Sequence, residues 1–260
     1  MIPALLLGAV IGVLLGLLGG GGSILAVPAL VYGAGLPLAS AVPASLLVVG
    51  VTSATALLPR IRARQVRWRV GAIFGGAGAV AAFGGAALGR LLPPQAVLVG
   101  FAVLMVAAGW RMLAERAAMG GACALPGGGV NWRSCLPKAV AAGAAVGVLT
   151  GLFGVGGGFL VIPALVLGLG LPMTAAIGTS LLIVLVNAVA GFAAHVGEAT
   201  LDYGVVAVFT VAAVAGSLAA TRFGDRLDPV RLRRWFAYLV FAVAAFVAVA
   251  ALANPAALTG

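Results

Sequence analysis

Four consecutive glycines interrupt the first apolar run of this chain, in the stretch Gly16-Leu17-Leu18-Gly19-Gly20-Gly21-Gly22-Ser23. A second copy, Gly151-Leu152-Phe153-Gly154-Val155-Gly156-Gly157-Gly158, interrupts a later run, and a proline follows each copy five residues on, at Pro28 and Pro163. Glycine costs about 1 kcal/mol per helical position relative to alanine, so neither stretch is ordinary helix. Composition sharpens the problem. The chain is 63% hydrophobic and 8% charged, with mean hydropathy +1.25, which assigns it to the polytopic membrane proteins. Unwound backbone in a bilayer must find partners inside the protein or in a wet cavity. Paired breaks at matching positions in two halves point to a transporter's binding site.

Apolar segments run over 4–32 and 139–167, each broken at its glycines, and over 38–58, 70–92, 95–113, 173–194, 204–221 and 235–253. The polar stretch 114–137, with Gly120-Gly121 and Pro126-Gly127-Gly128-Gly129, reads as a cytoplasmic linker between halves 1–113 and 138–260. The halves are repeats. A shift of 135 residues, without a gap, lays Gly8, Gly12, Gly16 and Gly19 on Gly143, Gly147, Gly151 and Gly154. It also lays Pro28 on Pro163, Leu36-Pro37 on Leu171-Pro172, and Ser45-Leu46-Leu47 on Ser180-Leu181-Leu182.

Charge orients the copies. The formal net charge is +10, but the arginines lie in short bands between apolar runs, which marks cytoplasmic loops rather than a nucleic-acid surface. Arg60, Arg62, Arg64, Arg67 and Arg69 crowd one loop, while its repeat partner, 194–204, carries Glu198 and Asp202 and no basic residue. The bias reverses one loop later: Arg222, Arg226, Arg231, Arg233 and Arg234 face a partner loop holding Arg90 alone. Equivalent loops on opposite sides mean inverted repeats, which need an odd number of crossings per half. Three unbroken segments supply three. Each broken limb of about 14 residues reaches roughly 21 Å, short of a ~30 Å hydrocarbon core. The expected fold is therefore an all-α polytopic membrane protein of two inverted repeats, each a re-entrant glycine-tipped hairpin plus three transmembrane helices. The rival has both broken segments crossing once as kinked helices, giving parallel halves. It would put the five arginines of 222–234 outside.

No ionisable residue falls securely at the bilayer centre: Glu115, Glu198, Asp202, Asp225 and Asp228 all lie in or beside loops, and the single histidine, His195, sits at a helix end. A membrane enzyme would need a nucleophile, an acid–base pair or metal ligands in its cavity, so no enzyme, metal or cofactor is expected. Helix N-termini after the glycine tips, near Ser23 and Gly158, would instead offer bare N–H groups and a partial positive charge to an anion. The expected substrate-binding set is Gly19, Gly20, Gly21, Gly22, Ser23 and Ser45 in the first half. Gly154, Gly156, Gly157, Gly158, Thr179, Ser180 and Asn187 supply the second. Thr52 and Ser53 read more as helix–helix glue, and Gly8, Gly12, Gly16, Gly143, Gly147 and Gly151 as close-packing positions. The arginine bands read as solvated topology determinants, His195 as interfacial, and Cys123 and Cys135 as reduced thiols.

The doubled pattern G-x-x-x-G-x-x-G-x-G-G-G/S-x-x-x-x-P-x-L, followed by L-P and a Ser-bearing helix start, resembles the sulfite exporter TauE/SafE family. It is carried by Gly12, Gly16, Gly19, Gly21, Gly22, Ser23, Pro28, Leu30, Leu36, Pro37 and Ser45. In the second half the carriers are Gly147, Gly151, Gly154, Gly156, Gly157, Gly158, Pro163, Leu165, Leu171, Pro172, Thr179 and Ser180. The resemblance implies an inner-membrane permease for sulfite, sulfoacetate or a related organosulfonate, usually working outward. The tips differ, since the first ends in Ser23 and the second contains Val155 and ends in Gly158. The partners expected are a small anionic substrate and membrane lipid, with a homodimer left open and no nucleic acid. The competing readings are an anion channel, a sodium-type carrier and a membrane enzyme acting on a lipid phosphate.

Overall fold

Helix α1 (Ile2–Leu18) stops where the glycines begin, and a 3-10 segment, Gly19–Leu25, follows it. Gly19 makes the turn at φ +64, a region that costs a side-chain-bearing residue dearly. The chain then doubles back. A Cβ placed on Gly22 would lie 2.8 Å from the Leu15 amide nitrogen and 2.9 Å from the Ile11 carbonyl oxygen, a proximity that no continuous helix gives. The return limb continues through the short helix α2 (Ala26–Pro28). The first broken segment is thus a hairpin in space.

The computed structural model describes residues 2–30, 34–36, 38–89, 91, 94–114, 132–153, 158–195, 202–224 and 228–253. Over these it is helical: α3 (Leu38–Arg62), α4 (Trp68–Gly89), α5 (Pro94–Ala114), α6 (Trp132–Phe153), α7 (Gly158–Pro163) with a π-turn over Ala164–Gly168, α8 (Met173–His195), α9 (Tyr203–Gly224) and α10 (Pro229–Ala253). Gly168 lies back against Ala142 of α6, so the second broken segment also returns along its first limb. Helix α6 begins at Trp132, and the last six residues of the stretch expected as linker are therefore helical. Cys135, expected as a free thiol, is buried and disulfide-bonded. Cys123 lies outside the described residues.

The repeat is visible in backbone detail. Gly35 and Gly170, one shift of 135 apart, stand at φ +71 and φ +67. Each lets the following leucine return its N–H to an equivalent carbonyl, Leu36 to Leu30 at 3.1 Å and Leu171 to Leu165 at 3.0 Å. These caps satisfy orphan carbonyls at the end of each return limb. The helix pairs exchange under the same shift: α1 packs on α9 and α6 on α4, α3 on α9 and α8 on α4, while α3 with α8 and α5 with α10 map onto themselves. A two-fold relation between the halves requires this pattern.

Glycines set these contacts, because without hydrophobic drive between helices in lipid the close approach of backbones supplies the attraction. Gly8 faces Phe209, Gly12 faces Ala213 and Gly16 faces Ser217, so α1 and α9 run in the same direction. Gly143 faces Phe74 and Gly147 faces Gly78, so α6 and α4 do likewise. The close-packing reading of these glycines is what the structure shows. Gly50 meets Ala188 and Gly191 meets Leu46, which makes α3 and α8 antiparallel. Among the described residues, Pro43–Arg62, Met173–Phe192 and Tyr203–Arg222 are long and apolar enough to cross a membrane, whereas the apolar part of α1, Leu5–Leu18, is shorter.

Candidate functional site

The two return limbs meet where they leave their tips. A Cβ on Gly20 would overlap the carbonyl of Gly158, and one on Gly158 would lie 2.6 Å from both the Gly20 carbonyl oxygen and Ser23 Oγ. Ser23 and Gly158 are counterparts under the shift of 135 residues. Ser23 donates its hydroxyl to the Gly20 carbonyl at 2.7 Å, which tightens the first tip.

Ser180 closes the site from α8. Its hydroxyl donates to the Ile177 carbonyl at 2.9 Å and accepts the Gly20 N–H at 3.4 Å. A Cβ on Gly19 would lie 2.5 Å from Ser180 Oγ, so glycine is needed there for space as well as for φ. Gly19, Gly20, Ser23, Gly158 and Ser180 therefore come together, with Gly19, Gly20, Gly158 and Ser180 buried. The 3-10 segment opens at Gly19, before the expected helix start near Ser23, because the positive φ of Gly19 lets the chain coil at once.

Other expected site residues lie elsewhere or are already engaged. Gly22 packs against Ile11 and Leu15, so it serves the fold-back rather than facing the tip contact. Gly21 belongs to the 3-10 segment. Thr179 is buried, but its hydroxyl accepts the Arg67 N–H at 3.1 Å and anchors the α3–α4 turn to α8. Ser45, the counterpart of Ser180, is buried in α3 and has a bonding partner of its own. Asn187, expected to need a ligand or an interhelix partner, is only half-buried on α8. Gly154, Gly156 and Gly157 lie outside the described residues.

Arg60 corrects the reading of the first arginine band. It is 2% exposed, not solvated. Its guanidinium donates to Gln65 Oε1 at 2.8 Å and to the Gly16 carbonyl at 3.4 Å. Gly16 lies in the last turn of α1, where carbonyls lack helical partners and the helix dipole favours a cation. Gln65 in turn donates its N–H to the Arg60 carbonyl at 3.0 Å and packs on Gly178, two residues before Ser180. Arg60 thus ties the end of α3 to the end of α1 beside the tip. A shift of 135 lays it on His195, a relation that could have separated it from its four neighbours in the band.

The described carboxylates are spent on helix starts. Asp202 Oδ1 accepts from the Gly204 and Val205 N–H groups at 3.0 and 3.2 Å, and Asp228 Oδ1 accepts from the Val230 N–H at 2.9 Å. Among the described residues no three His, Cys, Asp or Glu side chains cluster as metal ligands. What converges at the tips is backbone and hydroxyl.

A sequence profile described as Sulfite exporter TauE/SafE matches residues 4–247. The chain belongs to the TauE/SafE family. It is 35% identical over 243 residues to a "Probable membrane transporter protein" of Xylella fastidiosa strain 9a5c, covering 92% of each chain. It is 25% identical over 229 residues to the "Probable membrane transporter protein YdhB" of Bacillus subtilis strain 168, covering 86% of this chain and 90% of that one. No solved structure matches. The TauE/SafE assignment makes this chain a membrane transporter, in keeping with its apolar helices.

Proposed function

We propose that this transporter exports a small sulfur-containing anion, such as sulfite, sulfoacetate or another organosulfonate, across the bacterial inner membrane. It does so by alternating access around the paired hairpin tips. The observation that carries the reading is the direct meeting of Gly20 and Ser23 with Gly158 under Ser180, inside the helix bundle. Glycine lets a solute approach amide hydrogens closely. Rocking one half against the other would open such a site to either side.

The same reading makes the halves, 1–113 and 138–260, inverted repeats and their hairpins re-entrant. Two observations support it. Helix α3 runs antiparallel to its own counterpart α8, as an axis lying in the membrane plane demands; an axis along the normal would leave them parallel. Both broken segments also double back instead of running on. The arginine bands at 59–69 and 222–234 and the stretch 114–137 then share the cytoplasmic side, with both termini outside. The Cys135 disulfide pulls the other way, since disulfides persist in oxidising compartments. Against that single linkage stand all the lysines and arginines except Arg90, which this orientation gathers on the cytoplasmic side.

A monovalent anion leaving a negative-inside cell gains about 2.3 kcal/mol per 100 mV, roughly a fortyfold gradient. Export then needs no coupling ion, and no cofactor enters the mechanism. Proteoliposome flux of labelled sulfite and sulfoacetate under an imposed potential is the test. Saturable, counterflow-competent flux that follows the sign of the potential is expected. Flux indifferent to that sign would remove the electrogenic step, and non-saturable flux would make the protein a channel.

A further inference from the structure

One face of α3 carries Ser45, Thr52, Ser53 and Arg60, at positions i, i+7, i+8 and i+15, all on a common helical stripe and all buried. Buried hydroxyls in membrane helices usually return their proton to the carbonyl one turn earlier. Thr55, Ser180, Thr210, Ser217 and Thr221 each do so here, at 2.6–3.1 Å. Thr52 and Ser53 do not. Both are 0% exposed, and neither Thr52 Oγ1 nor Ser53 Oγ has a hydrogen-bond partner among the described residues. An unsatisfied buried hydroxyl is costly, and two neighbours sharing that condition call for an occupant.

Their position beside the tips says which. Gly50, one turn before Ser53, touches Ala188 of α8. The antiparallel course then brings Ser53 level with Val184 and Leu185. Val184 Cγ2 lies 2.8 Å from the Cβ position of Gly158, the residue that meets Gly20 and Ser23. The Ser53 level of α3 therefore lies opposite Val184, the side chain that touches Gly158 at the hairpin contact. Two turns further along the stripe stands Arg60, its backbone about 10 Å on at 1.5 Å per residue and its guanidinium directed to Gly16 and Gln65. A cation would be repelled from that direction and an anion attracted.

We propose that Thr52 and Ser53 are substrate ligands: their hydroxyls donate to the oxygens of a compact oxyanion as it passes the tips, and the α3 stripe from Ser45 to Arg60 is its track. The proposal rests on the anion-transport reading above. It adds a side-chain site to the backbone one.

The test compares full-length wild type with the isosteric double variant Thr52→Val/Ser53→Ala and with Thr55→Val, whose hydroxyl is already bonded. Two quantities are read: melting in detergent without substrate, and labelled sulfite flux with its KM in proteoliposomes. The double variant should melt no lower than wild type, since no bond is lost. Its KM should rise about tenfold per missing hydroxyl, roughly 1.4 kcal/mol each, while Thr55→Val leaves KM unchanged. A lower melting point in the double variant would make the hydroxyls structural and overturn the proposal, whatever the substrate. An unchanged KM would overturn it too. Absence of any anion flux in wild type would instead sink the transport reading, and the melting comparison would still judge the hydroxyls.

Discussion

The backbone N–H of Gly20 points at the hydroxyl oxygen of Ser180, 160 residues away in the chain, at 3.4 Å. The hydroxyl proton is committed to Ile177, so only a lone pair faces the amide. That is the arrangement a substrate oxygen would reproduce. Ser180→Ala should leave folding within about 1 kcal/mol of wild type, because a long neutral contact contributes little. It should raise the KM for sulfite by roughly tenfold if the hydroxyl also contacts the anion. Flux in vesicles decides it: an unchanged KM takes Ser180 out of the site.

Gly20→Ala forces a methyl group into the Gly158 carbonyl. Backbone cannot yield as a flexible side chain can, so the tips must part, at a cost of about 1–3 kcal/mol. Membrane insertion should persist and flux should fall below detection. A freely transporting Gly20→Ala variant would show that the tips need not touch.

Ser23 and Gly158 are close enough to be joined, with Ser23 Oγ 2.6 Å from the Cβ position of Gly158. Ser23→Cys/Gly158→Cys, made with Cys123 and Cys135 replaced by alanine, should cross-link under mild oxidant within disulfide reach. Alternating access requires the limbs to move against each other. The Gly158→Cys Cβ presses on the Gly20 carbonyl, so the reduced variant is already impaired; cross-linking should remove the flux it retains and reduction should restore that level, with the linkage followed by loss of free thiols. Flux undiminished by cross-linking would exclude relative motion at this point.

Arg60→Ala should lower stability by roughly 2–3 kcal/mol, since bonds from a buried charged group to Gln65 and Gly16 are lost. Arg60→Lys should recover only part, because an ammonium cannot span both acceptors as the planar fork does. Thermal melting in detergent measures both. A solvated arginine would show neither effect, and the same substitutions at Arg62, which is exposed, serve as that control.

Fluorescent and alkaline phosphatase reporters on each terminus address orientation. The inverted arrangement expects both ends on the periplasmic side, with phosphatase active and fluorescence absent. Both ends inside would favour the rival in which each broken segment crosses once, or a flipped molecule with Cys135 on the oxidising side.

Much of the architecture could be read from residues whose physics is local. Gly19 turns the chain because of its own φ, and Gly35 and Gly170 cap the return limbs for the same reason. The helix starts and stops fell near where apolar runs met Gly, Pro or Asp. The site was less legible, because burial is decided by partners far away in sequence. Arg60 sits in a band of five arginines and differs from them only in reaching Gly16, 44 residues earlier. Thr52 and Ser53 look like their back-bonded neighbours until the hydrogen bonds are drawn. Gly22 looked like part of an anion cradle, but the fold-back onto Ile11 claimed it. Asn187 shares its register with Thr52, yet it lands on a less covered flank of α8.

The pairing of α1 with α9, and of α6 with α4, has a consequence for biosynthesis. The first helix to leave the ribosome finds its glycine-lined neighbour only when the ninth has been made, and α4 must wait for α6. Until then the small-residue faces of α1 and α4 stand open to lipid or to insertion factors. A transcript cut after the first half would yield a polypeptide with both seams unfilled, a natural target for membrane quality-control proteases.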